Sequence, residues 1–226
     1  MFVYLDAPLA MTEAHGGTNG YRVIWQAAPG ANPVIGSAYT VSGSWVKDEA
    51  TGIWSVSVPE GLNSRQLYVD NVRAVRARSQ AGLTGSAFAF DGETNIGYTS
   101  KDTYLLDYAN IKDLELVFKV EWTQSRIGVA AIKDNGDGTV LLTLDQPGWS
   151  YVNNKGGTSA TAAGPVWIEN ALELLDQPGE WYLNEETQIL YYMPRVWEDM
   201  SSVTVSLPLL ESWDKDRDGI SGLMHI

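Results

Sequence analysis

The sequence predicts an all-β protein, and three observations predict it. Short runs rich in Val, Ile, Tyr, Trp and Phe recur at close spacing, clusters of Gly, Pro, Asn and Asp separate them, and helical periodicity is scarce. β-Branched and aromatic side chains favour a pleated surface, whereas Gly, Pro and Asn supply turn conformations. Many short strands divided by such turns define an all-β architecture.

Taken in chain order, strand patterns lie at residues 2–5, 21–26, 38–41, 53–58, 66–69 and 72–77. They continue at residues 114–121, 128–133, 139–144, 166–168, 181–183, 189–193 and 202–207. Residues 114–120 (LELVFKV) mostly alternate, which predicts a half-buried strand. Residues 133–139 (KDNGDGT) place Asn-Gly and Asp-Gly between two apolar runs, and these pairs supply the positive φ of a tight hairpin. Asp70-Asn71, between LYV and VRAVRA, predicts a second hairpin. The third is the most informative: Pro178-Gly179, the aromatic strand Trp181-Tyr182-Leu183, a polar turn over residues 184–188 and a return strand over 189–193. Two short stretches, 169–175 and 209–213, carry the best helical spacing, and residues 150–165 (SYVNNKGGTSATAAGP) predict a long surface loop.

Composition bounds the function. At 226 residues and 44% hydrophobic content the chain suffices for one large β domain or two small ones with a sizeable core. Its 15 Lys+Arg against 28 Asp+Glu give a formal net charge of −13, a field that repels phosphates and anionic lipid heads. Neither nucleic acid nor membrane is therefore an expected partner. The absence of cysteine removes disulfides and thiolate metal sites. No stretch approaches the ~18 continuous apolar residues of a membrane-spanning helix. The first residues, MFVYLD, show neither the charged region nor the apolar region of a signal peptide and read like the middle of a strand.

Glycoside hydrolysis needs two carboxylates, ~5–5.5 Å apart when configuration is retained and ~6.5–9.5 Å apart when it is inverted. Asp113, Glu115 and Glu121 lie on or beside one strand pattern. Glu115 and Glu121 share a face by parity but stand ~20 Å apart at ~3.3 Å per residue, so they read as solvated surface carboxylates. Asp214, Asp216, Asp218 and Gly219 resemble the start of a calcium loop, but His225 stands at the twelfth position, where a bidentate Glu is needed. No metal and no cofactor are therefore expected. His15 and His225 are the only histidines and lie at opposite ends of the chain, which argues against a Ser-His-Asp triad or a His-rich metal centre. Gly16-Gly17 with Gly20 lacks the Lys-Ser/Thr of a phosphate loop and reads as a tight turn.

Nine Trp and eleven Tyr provide many faces for stacking on sugar rings. Trp54, Trp181 and Tyr182 sit inside strand patterns and read as core. Trp149 follows Pro147-Gly148 and leads into the loop, so exposure and ligand contact are expected of it, with Tyr151 beside it. Trp122 and Arg126, in EWTQSR, are the other candidate substrate contacts, with Arg126 either clamping a polar ligand or pinning a turn.

Four stretches together resemble bacterial right-handed parallel β-helix proteins of the carbohydrate-active, glycoside-hydrolase-like kind, whose helix is interrupted near its start by a β-sandwich. They are residues 16–37, residues 45–78 (with IWSVSVPEG and RQLYVDNVRAVRAR), residues 113–149 (with DLELVFKVEWTQSRIGVAAI and LTLDQPGW) and the hairpin at 168–195. The resemblance implies an all-β fold in which a β-sandwich or jelly-roll-like module is flanked by the first β-helix coils. Residues 1–45 would be initial helix-like strands, 46–200 the inserted sandwich and 201–226 the start of a returning coil. It implies the N-terminal segment of a polysaccharide-processing protein, extracellular or periplasmic, with its catalytic carboxylates on later coils, so no catalytic residue is assigned here. The implied partners are a carbohydrate ligand or the remaining β-helix. A non-catalytic carbohydrate-binding or structural β-sandwich module is the alternative.

Overall fold

Alternating apolar residues and positive-φ turns give the chain its strands, seen in a computed structural model that describes residues 2–4, 9–154, 159–208 and 224–225. In chain order these are β1 (Phe2–Tyr4), β2 (Leu9–Ala10), β3 (Val34–Gly36), β4 (Ala38–Thr40), β5 (Val46–Lys47), β6 (Trp54–Ser57), β7 (Tyr68–Val69), β8 (Val72–Arg73) and β9 (Val75–Arg76). There follow β10 (Ala87–Asp91), β11 (Thr94–Ser100), β12 (Glu115–Val120), β13 (Thr123–Asp134), β14 (Val140–Leu144), β15 (Trp167–Glu169), β16 (Glu180–Asn184), β17 (Ile189–Tyr192), β18 (Val205–Pro208) and β19 (Met224–His225). One short helix, α1 (Gly148–Asn153), precedes β15. The fold is all-β, with antiparallel and mixed sheets consistent with a β-sandwich.

The chain divides into two compact units, residues 1–43, 62–74 and 201–226 forming one and residues 44–61 and 75–200 the other. In the first, β4, β18, β7 and β8 make a four-stranded antiparallel sheet. Leu67, Val69, Val205 and Leu207 are its buried apolar residues. Asp70 and Asn71 both adopt positive φ (46° and 64°) and close the tight β7–β8 hairpin, as their sequence predicts. Two strand pairs in this unit are parallel, β1 with β3 and β2 with β19. The tight turn expected at Gly16-Gly17 is present, since a Cβ on Gly17 would fall 1.8 Å from the Tyr21 carbonyl oxygen.

The strand expected at residues 21–26 does not form, and Tyr21, Val23, Ile24 and Trp25 are exposed. A strand is held by ladder hydrogen bonds to a neighbour. None of the described strands pairs with this segment.

The second unit contains a six-stranded sheet in the order β10-β11-β14-β13-β12-β15 and a five-stranded sheet in the order β5-β6-β17-β16-β9. Period-2 alternation aims Leu116 and Phe118, Ile127 and Val129, and Val140, Leu142 and Leu144 into one core. The five-stranded sheet adds Tyr182 to that core, and Ile53, Tyr191 and Met193 pack against it. Two apolar sheet faces enclosing one core is the arrangement of a sandwich. The KDNGDGT hairpin joins β13 to β14 with Asp134 opposite Val140, and Gly136 and Gly138 take the positive φ (76° and 83°). The hairpin at 180–192 forms with Trp181 opposite Tyr192.

Three local features depart from the sequence pattern. β10 and β11 form a hairpin with no counterpart among the strands read from sequence. The start of the loop expected at 150–165 is instead the end of α1 (Gly148–Asn153), because Trp149 and Val152, three apart, both turn inward. The helical spacing at 169–175 yields only the last residue of β15, Glu169, and a single 3-10 turn, Leu172–Leu174, while the strand expected at 166–168 forms as β15. The helical spacing at 209–213 lies outside the described residues.

Candidate functional site

The three predicted substrate contacts lie in different surroundings. Trp122 sits at the tip of the β12–β13 hairpin at φ 62° and is 90% exposed. Arg126, on β13, donates from Nε to Glu169 Oε1 at 2.6 Å. Trp149 corrects the expectation of exposure: its relative exposure is 0%. Its ring packs against Tyr98, Phe118 and Phe88 at centroid distances of 5.3, 5.5 and 6.3 Å. Its Nε1–H donates to the Asn95 carbonyl at 3.1 Å. The large apolar area of an indole outweighs the loop-like composition around it, and its one polar atom is satisfied inside. Tyr151, two residues on, points outward and is 73% exposed. Trp181 and Tyr182 are buried and Trp54 is half-buried, in keeping with their strand positions.

The β12–β15 register brings two of the chain's carboxylates side by side. Glu115 on β12 and Glu169 on β15 are direct cross-strand partners, and such partners have Cβ atoms ~4.5–5.5 Å apart. Their surroundings exclude acid–base work. Arg76 Nη1 donates to Glu115 Oε2 at 2.7 Å and lies 4.0 Å from Glu169 Oε1. Arg126 holds Glu169 Oε1, and Trp167 Nε1–H donates to Glu169 Oε2 at 2.7 Å. With Glu169 only 3% exposed, both its oxygens are engaged and no substrate reaches them. The guanidiniums of Arg78 and Arg76 lie over the rings of Trp167 and Trp181 at 5.0 and 5.7 Å. Two like charges on adjacent strands repel, and the two arginines offset that repulsion. This cluster cross-links strands. Glu121 lies at the neighbouring turn and is exposed.

A different arrangement is open to solvent. At the sandwich edge a cavity of about 340 Å³ is lined by Asp48, Thr51, Ile53, Ser55, Leu172, Leu175 and Tyr191. The β5–β6 turn supplies its polar side: Asp48 Oδ1 accepts from Ala50 N and Oδ2 accepts from Thr51 Oγ1, both at 2.9 Å. Gly52, at φ 76°, lets the turn close with Gly52 N donating to the Asp48 carbonyl at 2.8 Å. These two local hydrogen bonds hold the Asp48 carboxyl below the usual range. The 3-10 turn after β15 supplies the apolar side, and Tyr191 on β17 lies directly opposite Ser55 on β6. Sequence reasoning missed this group because its parts are far apart along the chain. The Asp48-x-x-Thr51-Gly52 turn was its one local signal.

Among the described residues no group of three His, Cys, Asp or Glu is arranged to hold a metal ion, and the Asp214–Gly219 stretch lies outside them. His15 makes a local contact, accepting at Nδ1 from Thr12 N at 3.0 Å.

Glu180 is the buried carboxyl with a resolved shift: desolvation pushes it above the usual range, against hydrogen bonds from Gln177 N and Asp176 N. A raised carboxyl contributes stability that is complete below the ordinary value of ~4.3 and is lost as pH rises through the raised value. Glu180→Gln keeps an accepting oxygen and abolishes the titration. The melting temperature of the wild type relative to this variant is therefore expected to rise as pH falls from about 7 to about 4, read by circular dichroism.

The family known as the GH141 insertion domain matches residues 51–195, more than half of the chain. The chain belongs to the GH141 insertion domain family. A solved structure described as "Glycoside hydrolase" shares the insertion domain's fold with a TM-score of 0.77 at 22% sequence identity. The alignment covers 94% of this chain and 38% of that one, so the chain spans well under half the length of that protein. No curated protein sequence matches the chain. The insertion domain thus belongs among glycoside-hydrolase-related proteins, as its sequence resemblance implies.

Proposed function

We propose that the chain is the N-terminal segment of a bacterial polysaccharide-processing protein, a glycoside hydrolase relative whose catalytic coils lie beyond it. The observation that carries this reading is the family match over residues 51–195. On this reading residues 1–45 and 201–226 contribute coils of a right-handed parallel β-helix and residues 46–200 form the sandwich inserted between them. The parallel pairs β1–β3 and β2–β19 support it, since side-by-side parallel strands are the pairing that successive coils use. The protein acts outside the cytoplasm, in the periplasm or beyond the cell, where polysaccharides are met. This chain alone hydrolyses nothing, because its facing carboxylates Glu115 and Glu169 are held by Arg76 and Arg126. Reading the DNA beyond the Ile226 codon tests the proposal. A frame that continues into further short-strand coils is expected, and an immediate stop with no remnant behind it overturns the parent reading.

A second reading, a self-standing carbohydrate-binding or structural module, is favoured by the exposure of Trp122 and Tyr151. Exposed aromatic rings stack on the C–H faces of sugars. Affinity electrophoresis on plant and bacterial glycans separates its two forms. Retardation that disappears in Trp122→Ala supports binding through the hairpin tip, and no retardation on any glycan leaves a structural role.

A further inference from the structure

We infer that the sandwich-edge cavity between Tyr191, Ser55 and the Asp48–Thr51 turn is a subsite for a neutral pyranose unit of a polysaccharide. The inference rests on the reading that the chain serves polysaccharide processing, and it names a ligand class and the residues that hold it.

Sugar recognition asks for two things at once: an apolar surface for the C–H face of the ring and hydrogen-bonding groups for its hydroxyls. The cavity places them side by side. Ile53, Leu172, Leu175 and the ring of Tyr191 give the apolar surface, and Asp48, Thr51 and Ser55 give the polar one. Its volume of about 340 Å³ lies at the small end of the ~300–1,000 Å³ range of ligand pockets, the scale of a sugar unit or two.

The apolar platform is fixed in advance. Tyr191 stacks on its cross-strand neighbour Tyr182 with ring centroids 5.9 Å apart and 18° between planes. Tyr182 is itself anchored, its hydroxyl donating to Asp113 Oδ2 at 2.7 Å and accepting from Asn110 Nδ2 at 3.2 Å. A ring held this way gives up little freedom when a ligand lands on it.

The polar groups retain capacity. An ionised carboxylate offers roughly four lone-pair sites. Asp48 uses one on each oxygen, for Ala50 N and Thr51 Oγ1, which leaves each oxygen able to accept again. The Ser55 hydroxyl makes no hydrogen bond to the described residues and lines the open space. Adjacent sugar hydroxyls donating to Asp48 would form charge-assisted hydrogen bonds, the stronger kind. The sign of that charge sets the specificity. Asp48 stays ionised over the ordinary range of pH, because its local hydrogen bonds depress its titration. With the chain at a formal −13, a uronic-acid carboxylate brought into the cavity meets repulsion where a neutral sugar meets an acceptor.

The 226-residue chain, labelled with ¹⁵N, is titrated with cello-, xylo-, manno- and galacto-tetraose and with tetragalacturonic acid, following backbone amide shifts. At least one neutral probe is expected to move the amides of Asp48, Thr51, Ser55, Leu172, Leu175 and Tyr191, while tetragalacturonic acid leaves them in place. Ser55→Leu fills the cavity and Asp48→Asn removes the charge, and each is expected to weaken binding by about tenfold or more. Both variants are first checked for the wild-type amide spectrum away from the cavity, and either one alone suffices if the other does not fold. The inference is overturned if no neutral probe moves the cavity amides, or if binding survives in both folded variants. It is equally overturned if binding is lost only in Trp122→Ala, which assigns the contact to the hairpin tip, or if tetragalacturonic acid binds as well as the neutral probes. A reading frame that runs on into β-helix coils while every probe leaves the cavity unmoved removes the subsite and retains the parent-protein reading. Cavity binding without such a frame does the reverse.

Discussion

Trp149→Ala is expected to destabilise the insertion domain by about 3–5 kcal/mol, the range for truncating a fully buried aromatic side chain. The indole is completely enclosed and touches three other rings, so its removal leaves a cavity lined by Tyr98, Phe118 and Phe88. It also strands the Asn95 carbonyl, which accepts the indole N–H at 3.1 Å. Trp149→Phe separates these two effects, since it keeps most of the apolar volume and loses the hydrogen bond. Its expected cost is smaller, about 1–3 kcal/mol. Urea unfolding followed by near-ultraviolet circular dichroism measures both. A loss below about 1 kcal/mol for the alanine variant contradicts the core assignment and returns Trp149 to the surface.

Glu169→Ala is the second large effect, at about 3–5 kcal/mol. The carboxylate accepts from the Arg126 guanidinium and the Trp167 indole N–H, which lose their acceptor together, and it lies 4.0 Å from Arg76, which keeps Glu115. Breaking a buried pair from one side leaves a desolvated charge, and that residue of charge, rather than the pair's net strength, sets the cost. Arg126 is about one-third exposed (33%), so water relieves part of its loss, while Arg76 retains its hydrogen bond to Glu115. The signature is non-additivity. Removing Glu169 and Arg126 together is expected to cost clearly less than the sum of the single changes, as a double-mutant cycle on unfolding free energies reads directly. Strict additivity contradicts the coupling.

The contrast between these two residues shows what was legible in the sequence. Hairpins with turn chemistry could be read directly, because Asn-Gly, Asp-Gly, Asp70-Asn71 and Pro178-Gly179 force the chain locally whatever surrounds them. The β10–β11 hairpin was harder to read. AFAF alternates and Asp91-Gly92 turns, but Ala and Gly are weak strand formers, and Gly97 is present because a Cβ there would meet the Leu142 carbonyl oxygen at 2.1 Å. That requirement comes from β14, over forty residues away. Residues 21–26 show the opposite failure. Their β-pattern is clear, but a pattern without a pairing partner does not make a strand.

The candidate site was the least legible part. Trp149 reads as exposed from its Pro-Gly and loop neighbours, and only the Trp149–Val152 spacing hints that a helical turn carries it inward. Glu115 and Glu169 stand 54 positions apart and become neighbours only through the β12–β15 register. The edge cavity draws on the β5–β6 turn, the 3-10 turn after β15 and a residue of β17, so its chemistry exists only once the sheets have assembled. Local propensity carries no record of such long-range assembly.

On the proposed reading the hydrolytic centre lies outside this chain, and its facing carboxylates Glu115 and Glu169 are committed to Arg76 and Arg126. Turnover of α- and β-linked aryl-glycosides by the purified chain checks that reading, with release of the aryl group followed by absorbance. No release above buffer is expected for any aryl-glycoside. Sustained release by the wild-type chain, lost in a Glu115→Gln variant that keeps the wild-type unfolding midpoint, contradicts it.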